Sequence, residues 1–205
     1  MKKIILLMAA VSTLVFTSCS DSDGEVSQPV QAVTITDFYA PQNADYTVTP
    51  PVISGDFAKF SFKEGKKVTG DNWDIAIRGT RILVNGGSVI GLTDEPARTG
   101  SASLAVVSNT FAEVKTAPAD SEFKQDAAGV YALPHGSGNG WYTYAGGVVT
   151  RIAGKVFVVK TIDGNYAKMS IKSYYKNDDS SNIANARYYR FEYVYNPNVG
   201  DKSFQ

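Results

Sequence analysis

Short runs of alternating apolar and polar residues fill most of the chain after about residue 32. In one run, Phe60 and Phe62 fall on one side and Lys59 and Ser61 on the other. A period of two predicts a half-buried β-strand, because successive side chains of a strand point to opposite faces. By the same pattern and their β-branched residues, further strands are predicted at 33–36, 46–49, 73–78 and 81–84. In the run 73–78, alternation puts Trp73, Ile75 and Ile77 on one face and Asp74 and Arg78 on the other.

The clearest predicted element is a hairpin over residues 155–175. Two alternating runs flank Asp163-Gly164, and glycine supplies the positive φ that a tight hairpin turn requires. A last strand is predicted at 187–195, and the polar segment 177–185 before it is predicted to be a loop or a short helical turn.

Helical periodicity is nearly absent after residue 30; a short helix is predicted only over 119–128. The chain of 205 residues is therefore predicted to form one all-β, mostly antiparallel domain over 32–205. A sandwich and a curved, barrel-like sheet are both consistent with this pattern.

The N-terminal segment has the pattern of a lipoprotein signal peptide. Lys2 and Lys3 precede an apolar run that leads to Cys19, the single cysteine, and the run is too short to span a bilayer. We expect residues 1–18 to be removed and Cys19 to be acylated. An ordinary signal peptide or a buried core cysteine is the alternative. Residues 19–31 are polar and acidic and are predicted to be a disordered tether.

Composition narrows the classes of function. The chain has 20 basic and 20 acidic side chains, and loss of the leader would leave a slight acidic excess, which argues against nucleic-acid binding. The single histidine, His135, lies in the glycine-rich segment 133–140 without the Gly-x-Ser-x-Gly spacing of a serine hydrolase. We therefore expect no enzyme. Within the glycine-rich segment, residues 136–140 are predicted to be a mobile loop over a ligand or a plain strand connection.

Several segments together resemble the HmuY family, a group of haem-binding outer-membrane lipoproteins of Bacteroidota. They run from Asn72-Trp73-Asp74 to the closing Tyr189-Arg190-Phe191 and include 84–87, 140–144, 154–168 and 173–175. The resemblance implies a one-domain β fold that holds haem as cargo, passes it to an outer-membrane receptor and catalyses nothing. The acidic residues after Cys19 also resemble the export tag of surface lipoproteins in such bacteria, which favours the cell surface over the periplasmic side.

The resemblance implies two axial haem ligands, histidine or methionine, but neither residue type occurs in 108–124 or 145–147, where the family's ligands would fall. The remaining candidates are His135, Met169, Tyr142 and Tyr144. His135 could instead be an exposed loop histidine, and Met169 could be a core residue. Haem propionates could meet Arg78, Arg81 or Lys155. A glycan or a protein partner, bound without haem, is the alternative ligand, and the oligomeric state is left open.

Overall fold

A computed structural model describes residues 27–205, and this part of the chain is built almost entirely of strands. Its strands are β1 (Gln31–Tyr39), β2 (Asn43–Asp45), β3 (Val52–Ser54), β4 (Ala58–Ser61), β5 (Lys66–Val68), β6 (Ile75–Arg78), β7 (Arg81–Val84), β8 (Ser103–Ser108), β9 (Tyr142–Ala145), β10 (Val148–Arg151), β11 (Lys155–Lys160), β12 (Tyr166–Tyr175) and β13 (Ala186–Asn196). Single 3₁₀ turns occur at Asp120–Glu122, Lys176–Asp178 and Ile183–Asn185. The predicted all-β fold is confirmed.

Two antiparallel sheets enclose the main core. The larger has the order β1-β13-β12-β11-β8 and the smaller the order β5-β4-β6-β7; β2-β3 and β9-β10 form two-stranded ribbons. Phe60 of the smaller sheet meets Phe191 of the larger one edge to face, with ring centroids 5.2 Å apart. Such aromatic contacts, together with burial of the alternating apolar side chains, hold the two sheets face to face.

The strongest local patterns predict their elements well. The hairpin of β11 and β12 pairs Lys160 with Tyr166 across the Asp163-Gly164 turn, as predicted. Strands β1, β4, β6, β7 and β13 fall within or around the predicted runs. The polar segment before β13 contains short 3₁₀ turns, consistent with the predicted loop.

Two predicted elements are wrong for identifiable reasons. No strand forms at 46–49, because the Asp45 carboxylate accepts hydrogen bonds from the Thr47 N–H and hydroxyl and turns the chain after β2. The helix predicted over 119–128 is reduced to one 3₁₀ turn. Lys124 instead exchanges backbone hydrogen bonds with Leu104 at the edge of β8, which requires an extended chain.

The start of β6 also departs from simple alternation. Trp73, predicted to share a face with Ile75, packs in a separate cluster with Phe57 and Leu83. The reason is that β6 begins only at Ile75, after Asp74 has turned inward. Asp74 was expected on the polar face, but its side chain is buried and accepts hydrogen bonds from Phe62 N–H and Ile162 N–H, which joins the two sheets.

The predicted leader and Cys19 lie outside the described residues, as does most of the predicted tether. Of the tether, 27–31 are described: Gln28 N–H donates to the Asn198 side chain, and β1 begins at Gln31. Among residues 27–205, no helix has both the length and the apolar character needed to cross a bilayer.

Asp74 should make folding stability depend on pH. Burial raises the pKa of Asp74 to about 6 from an ordinary value of 3.8. The folded protein therefore holds this proton more tightly than the unfolded chain, and protonation stabilises the fold as the pH falls from about 6 to about 4, by up to about 3 kcal/mol. We expect the destabilisation caused by Asp74→Asn, measured by denaturant unfolding, to be larger at pH 4 than at pH 7.

Asp56→Asn, the same change at an exposed aspartate, is the matched control. A cost of Asp74→Asn that is constant over this pH range, or that parallels the control, would contradict the prediction.

Candidate functional site

A cleft of about 370 Å³ opens beside the edge strand β8, which is within the range of small-molecule sites. Its exposed apolar surface comes from Val106 of β8 and from Pro134 of the segment that faces it, and the buried Leu104 and Ala132 lie beneath. The polar and glycine residues that complete the lining are Glu122, Lys124, Asn139, Gly140 and Lys155. The cleft thus combines a small apolar surface with two ammonium groups and one carboxylate.

Glycine-rich segment 133–140 forms one wall of the cleft and has a defined conformation. A side chain at Gly140 would place its Cβ 2.0 Å from the Pro134 carbonyl oxygen, so only glycine fits there. Gly138 N–H donates to the Tyr142 carbonyl, and the Ser137 hydroxyl accepts from Tyr144 N–H. These bonds attach the loop to the start of β9.

A buried carboxylate fixes the base of this wall. Asp126 accepts hydrogen bonds from Val84 N–H at the end of β7 and from Ala132 N–H, at 3.0 and 2.9 Å. Arg98 Nη2 lies 2.9 Å from Asp126 and 3.1 Å from Glu95, and the Asp126 and Arg98 side chains are 0% and 1% exposed. Burial raises the pKa of Asp126, against the opposing effects of its N–H donors and Arg98.

His135 follows Pro134 in the sequence, but its ring contacts Tyr131 and Thr80 and does not line the cleft. Its ring stacks on Tyr131, with centroids 5.4 Å apart, and Nε2 lies 3.3 Å from the Thr80 hydroxyl. Burial and, to a smaller extent, the nearby Arg81 lower the pKa of His135, which favours the neutral ring. His135 is therefore half-buried in a polar contact and is not among the residues that line the cleft.

Of the other candidate haem ligands, Tyr142 lies beside His135, with ring centroids 6.4 Å apart, whereas Tyr144 and Met169 lie elsewhere. The Thr80 hydroxyl donates to the Tyr142 hydroxyl, whose side chain is buried, whereas Tyr144 is 59% exposed on the β9-β10 ribbon. Met169 lies in the main core opposite Phe157 and Tyr193, as expected for a core residue. Across residues 27–205, no three His, Cys, Asp or Glu side chains cluster in a way that could hold a metal.

Among the three cations considered for propionates, only Lys155 lines the cleft. Its ammonium group donates to the Ser108 hydroxyl at 2.9 Å. Arg78 is buried beneath Phe57 and donates to the Gly55 and Thr93 carbonyls, so it is occupied elsewhere. Arg81 donates to the Tyr131 hydroxyl.

Sequence analysis missed β8 and Lys124, which together form much of the cleft. The apolar run Leu104-Ala105-Val106-Val107, bounded by serines, was the available signal for a buried strand. Lys124 had no comparable signal, because its position depends on backbone pairing with Leu104.

Removal of the buried carboxylate should destabilise the fold and loosen the cleft wall. Asp126→Ala leaves Arg98 buried without one of its two carboxylate partners and leaves two backbone N–H groups without an acceptor. We expect a loss of about 3–5 kcal/mol in the free energy of unfolding, together with faster amide exchange over 132–140. Asp120→Ala, which breaks the exposed pair with Lys202, should cost much less. Equal losses in the two variants would contradict this role of Asp126.

Comparisons with known proteins place the chain in a family. The family model described as HmuY protein matches residues 55–193, which is more than half of the chain and contains every residue of the cleft lining. A search of curated protein sequences found no match.

Several solved structures resemble the chain weakly. The apo HmuY analog of Tannerella forsythia is 18% identical, with a TM-score of 0.45 over 84% of this chain and 99% of that one. A Bacteroides vulgatus ATCC 8482 protein that carries the name HmuY-like heme binding protein is 13% identical, with a TM-score of 0.42 over 80% and 90%. A Bacteroides fragilis NCTC 9343 protein named as a lipoprotein is 14% identical, with a TM-score of 0.42 over 82% and 91%.

These structural scores are too low to carry an argument. Assignment depends instead on the continuous match over residues 55–193. On that match, the chain belongs to the HmuY family.

Proposed function

We propose that this protein is a non-catalytic lipoprotein of the bacterial outer membrane that binds haem or a related porphyrin for uptake. Membership of the HmuY family supports this class of function. The observation that carries the proposal is the cleft beside β8, which joins an apolar surface to two lysine side chains.

A porphyrin of the haem type is a flat apolar macrocycle with two propionates on one edge. Val106 and Pro134 offer exposed apolar surface to the macrocycle, and burial of such surface contributes roughly 25 cal/mol per Å². Lys124 and Lys155 offer ammonium groups to the propionates, and charge-assisted hydrogen bonds are stronger than neutral ones. The cleft therefore matches both halves of the ligand.

The N-terminal pattern supports an anchored, surface-exposed location. Cleavage before Cys19 and acylation of its thiol would attach the domain to the membrane through the polar stretch that follows. From this position the domain would deliver its cargo to an outer-membrane receptor.

We expect haemin binding to depend on the apolar side of the cleft. Val106 is 37% exposed on β8 and lines the cleft. Val106→Glu should weaken haemin binding by at least about ten-fold, because it places a carboxylate where the macrocycle and propionates would lie. Haemin titration of the purified full chain, followed by the Soret absorbance, measures the change.

Val199→Glu is the matched control, because Val199 is 79% exposed and lies outside the cleft. Both variants are measured in the same detergent, which keeps an acylated chain in solution. Haemin that partitions into the detergent therefore contributes equally to both titrations. Saturable binding that is equal in the two variants would place the haem elsewhere, and absence of saturable binding in the parent would contradict the proposal.

Anchoring has its own test. Cys19→Ala removes the thiol that would be acylated, so the protein should lose metabolic labelling by a fatty acid and leave the membrane fraction of cells that express it. Protease treatment of intact cells that express the parent should degrade the domain if it faces outwards. Retention of the Cys19→Ala variant in the membrane fraction would contradict a lipid anchor at this residue.

A second candidate function is recognition of a glycan or protein partner without haem. One observation favours it: Tyr39 and Tyr188 stack with centroids 4.5 Å apart, and Tyr39 is 41% exposed. Lys176 lies 5.4 Å from the Tyr188 ring, so an aromatic surface with an adjacent cation is available. This candidate becomes the leading one if the chain binds no porphyrin.

A further inference from the structure

We propose that the cleft recognises the porphyrin macrocycle and its carboxylates without ligating iron. Metal-free protoporphyrin IX would then bind with about the same affinity as haem. This inference depends on the proposed function, because it concerns the ligand of the same cleft. It departs from the family resemblance, which implies a pair of axial ligands.

Donor chemistry around the cleft does not fit haem iron. Proteins hold haem iron through imidazole, thioether, thiolate or phenolate groups. The side-chain polar groups that line this cleft are instead the ammonium groups of Lys124 and Lys155, the Glu122 carboxylate and the Asn139 amide. The two ammonium groups and the Asn139 amide can donate hydrogen bonds to carboxylates, and the Glu122 carboxylate can only accept. None of these groups is a usual ligand of haem iron.

His135 is adjacent to the wall but held outside the cleft. Pro134 lines the cleft, whereas the neighbouring His135 ring stacks on Tyr131 and places Nε2 3.3 Å from the Thr80 hydroxyl. The backbone next to His135 is held in place on both sides. The Pro134 ring fixes the φ of Pro134. Gly136, with φ of +109°, begins a turn closed by a hydrogen bond from Asn139 N–H.

None of the remaining candidate ligands lines the cleft: Tyr144 is exposed on the β9-β10 ribbon, and the other two lie in the core. The Met169 thioether lies in the main core, and the Tyr142 hydroxyl accepts from Thr80. Delivery of either group to the cleft would require a strand residue to leave the packed core. Burial of the macrocycle and pairing of the propionates are thus the interactions that the cleft supplies, and both are the same for haem and for metal-free protoporphyrin.

Paired titrations of the full chain with haemin and with protoporphyrin IX test this inference. Haemin is followed by absorbance and protoporphyrin IX by fluorescence. The same titrations of the Val106→Glu variant show how much of each signal comes from porphyrin that partitions into detergent. We expect dissociation constants that agree within about three-fold, a difference of only about 0.6 kcal/mol. Haemin binding tighter by about 100-fold or more would overturn the inference.

A histidine variant and an esterified porphyrin add measurements other than the relative affinities for haemin and protoporphyrin IX. His135→Phe keeps a ring to stack on Tyr131 but removes the nitrogen ligand, and the Soret spectrum of bound haemin should match that of the parent. Loss of a low-spin haem spectrum in this variant would show ligation by His135 and overturn the inference. Protoporphyrin dimethyl ester should bind more weakly than the free acid, because it presents no carboxylate to the lysines.

The lysines provide a charge-specific control. Lys124→Gln combined with Lys155→Gln should weaken binding of the free acid by about three- to ten-fold and leave the ester unchanged. Lys67→Gln, the same change at an exposed lysine outside the cleft, should alter neither. Equal affinities of free acid and ester would overturn the carboxylate part of the inference.

The outcomes separate the two proposals. Saturable binding of haemin with none of protoporphyrin IX leaves the proposed function intact and overturns the metal-independent cleft. Absence of binding by both ligands overturns the proposed function itself.

Discussion

The geometry of the cleft depends on one buried carboxylate. Asp126 connects the end of β7, through Val84, to the start of the cleft wall, through Ala132, and its charge is compensated by Arg98. A buried ion pair often contributes little net stability, because desolvation offsets the attraction. Its contribution here is positional: it fixes where the chain leaves the smaller sheet and therefore which residues of the following loop face β8.

Alternation and turn residues, both local features of the sequence, were enough to predict most strands of the two main sheets. The Asp163-Gly164 turn and the alternation on either side of it are contained within about twenty residues, so the β11-β12 hairpin follows from sequence alone. Alternation also marked β4 and β13 correctly. These elements share one property: the interactions that define them lie close together along the chain or on one repeating face.

The candidate site was less predictable, because it depends on contacts between distant residues. Lys124 reaches the cleft by backbone pairing with Leu104, and Asp126 accepts from Val84, 42 positions away. Neither partner is marked by a local motif. His135 shows the same limitation in another form: sequence identifies the single histidine, but the direction of its ring depends on Tyr131 and Thr80.

A cleft that does not ligate iron places a particular demand on the protein. An axial bond is strong and directional, so a ligating side chain can orient a haem even between mobile walls. Apolar contact has no such direction, and binding that depends on it gains from walls that are ordered before the ligand arrives. The Asp126 network and the hydrogen-bonded glycine-rich segment supply that order, since they fix Ala132, Pro134 and Gly140 against β8 without help from a ligand. In the proposed metal-independent cleft, a fixed wall would take over the orienting role of the axial ligands that the family resemblance implies.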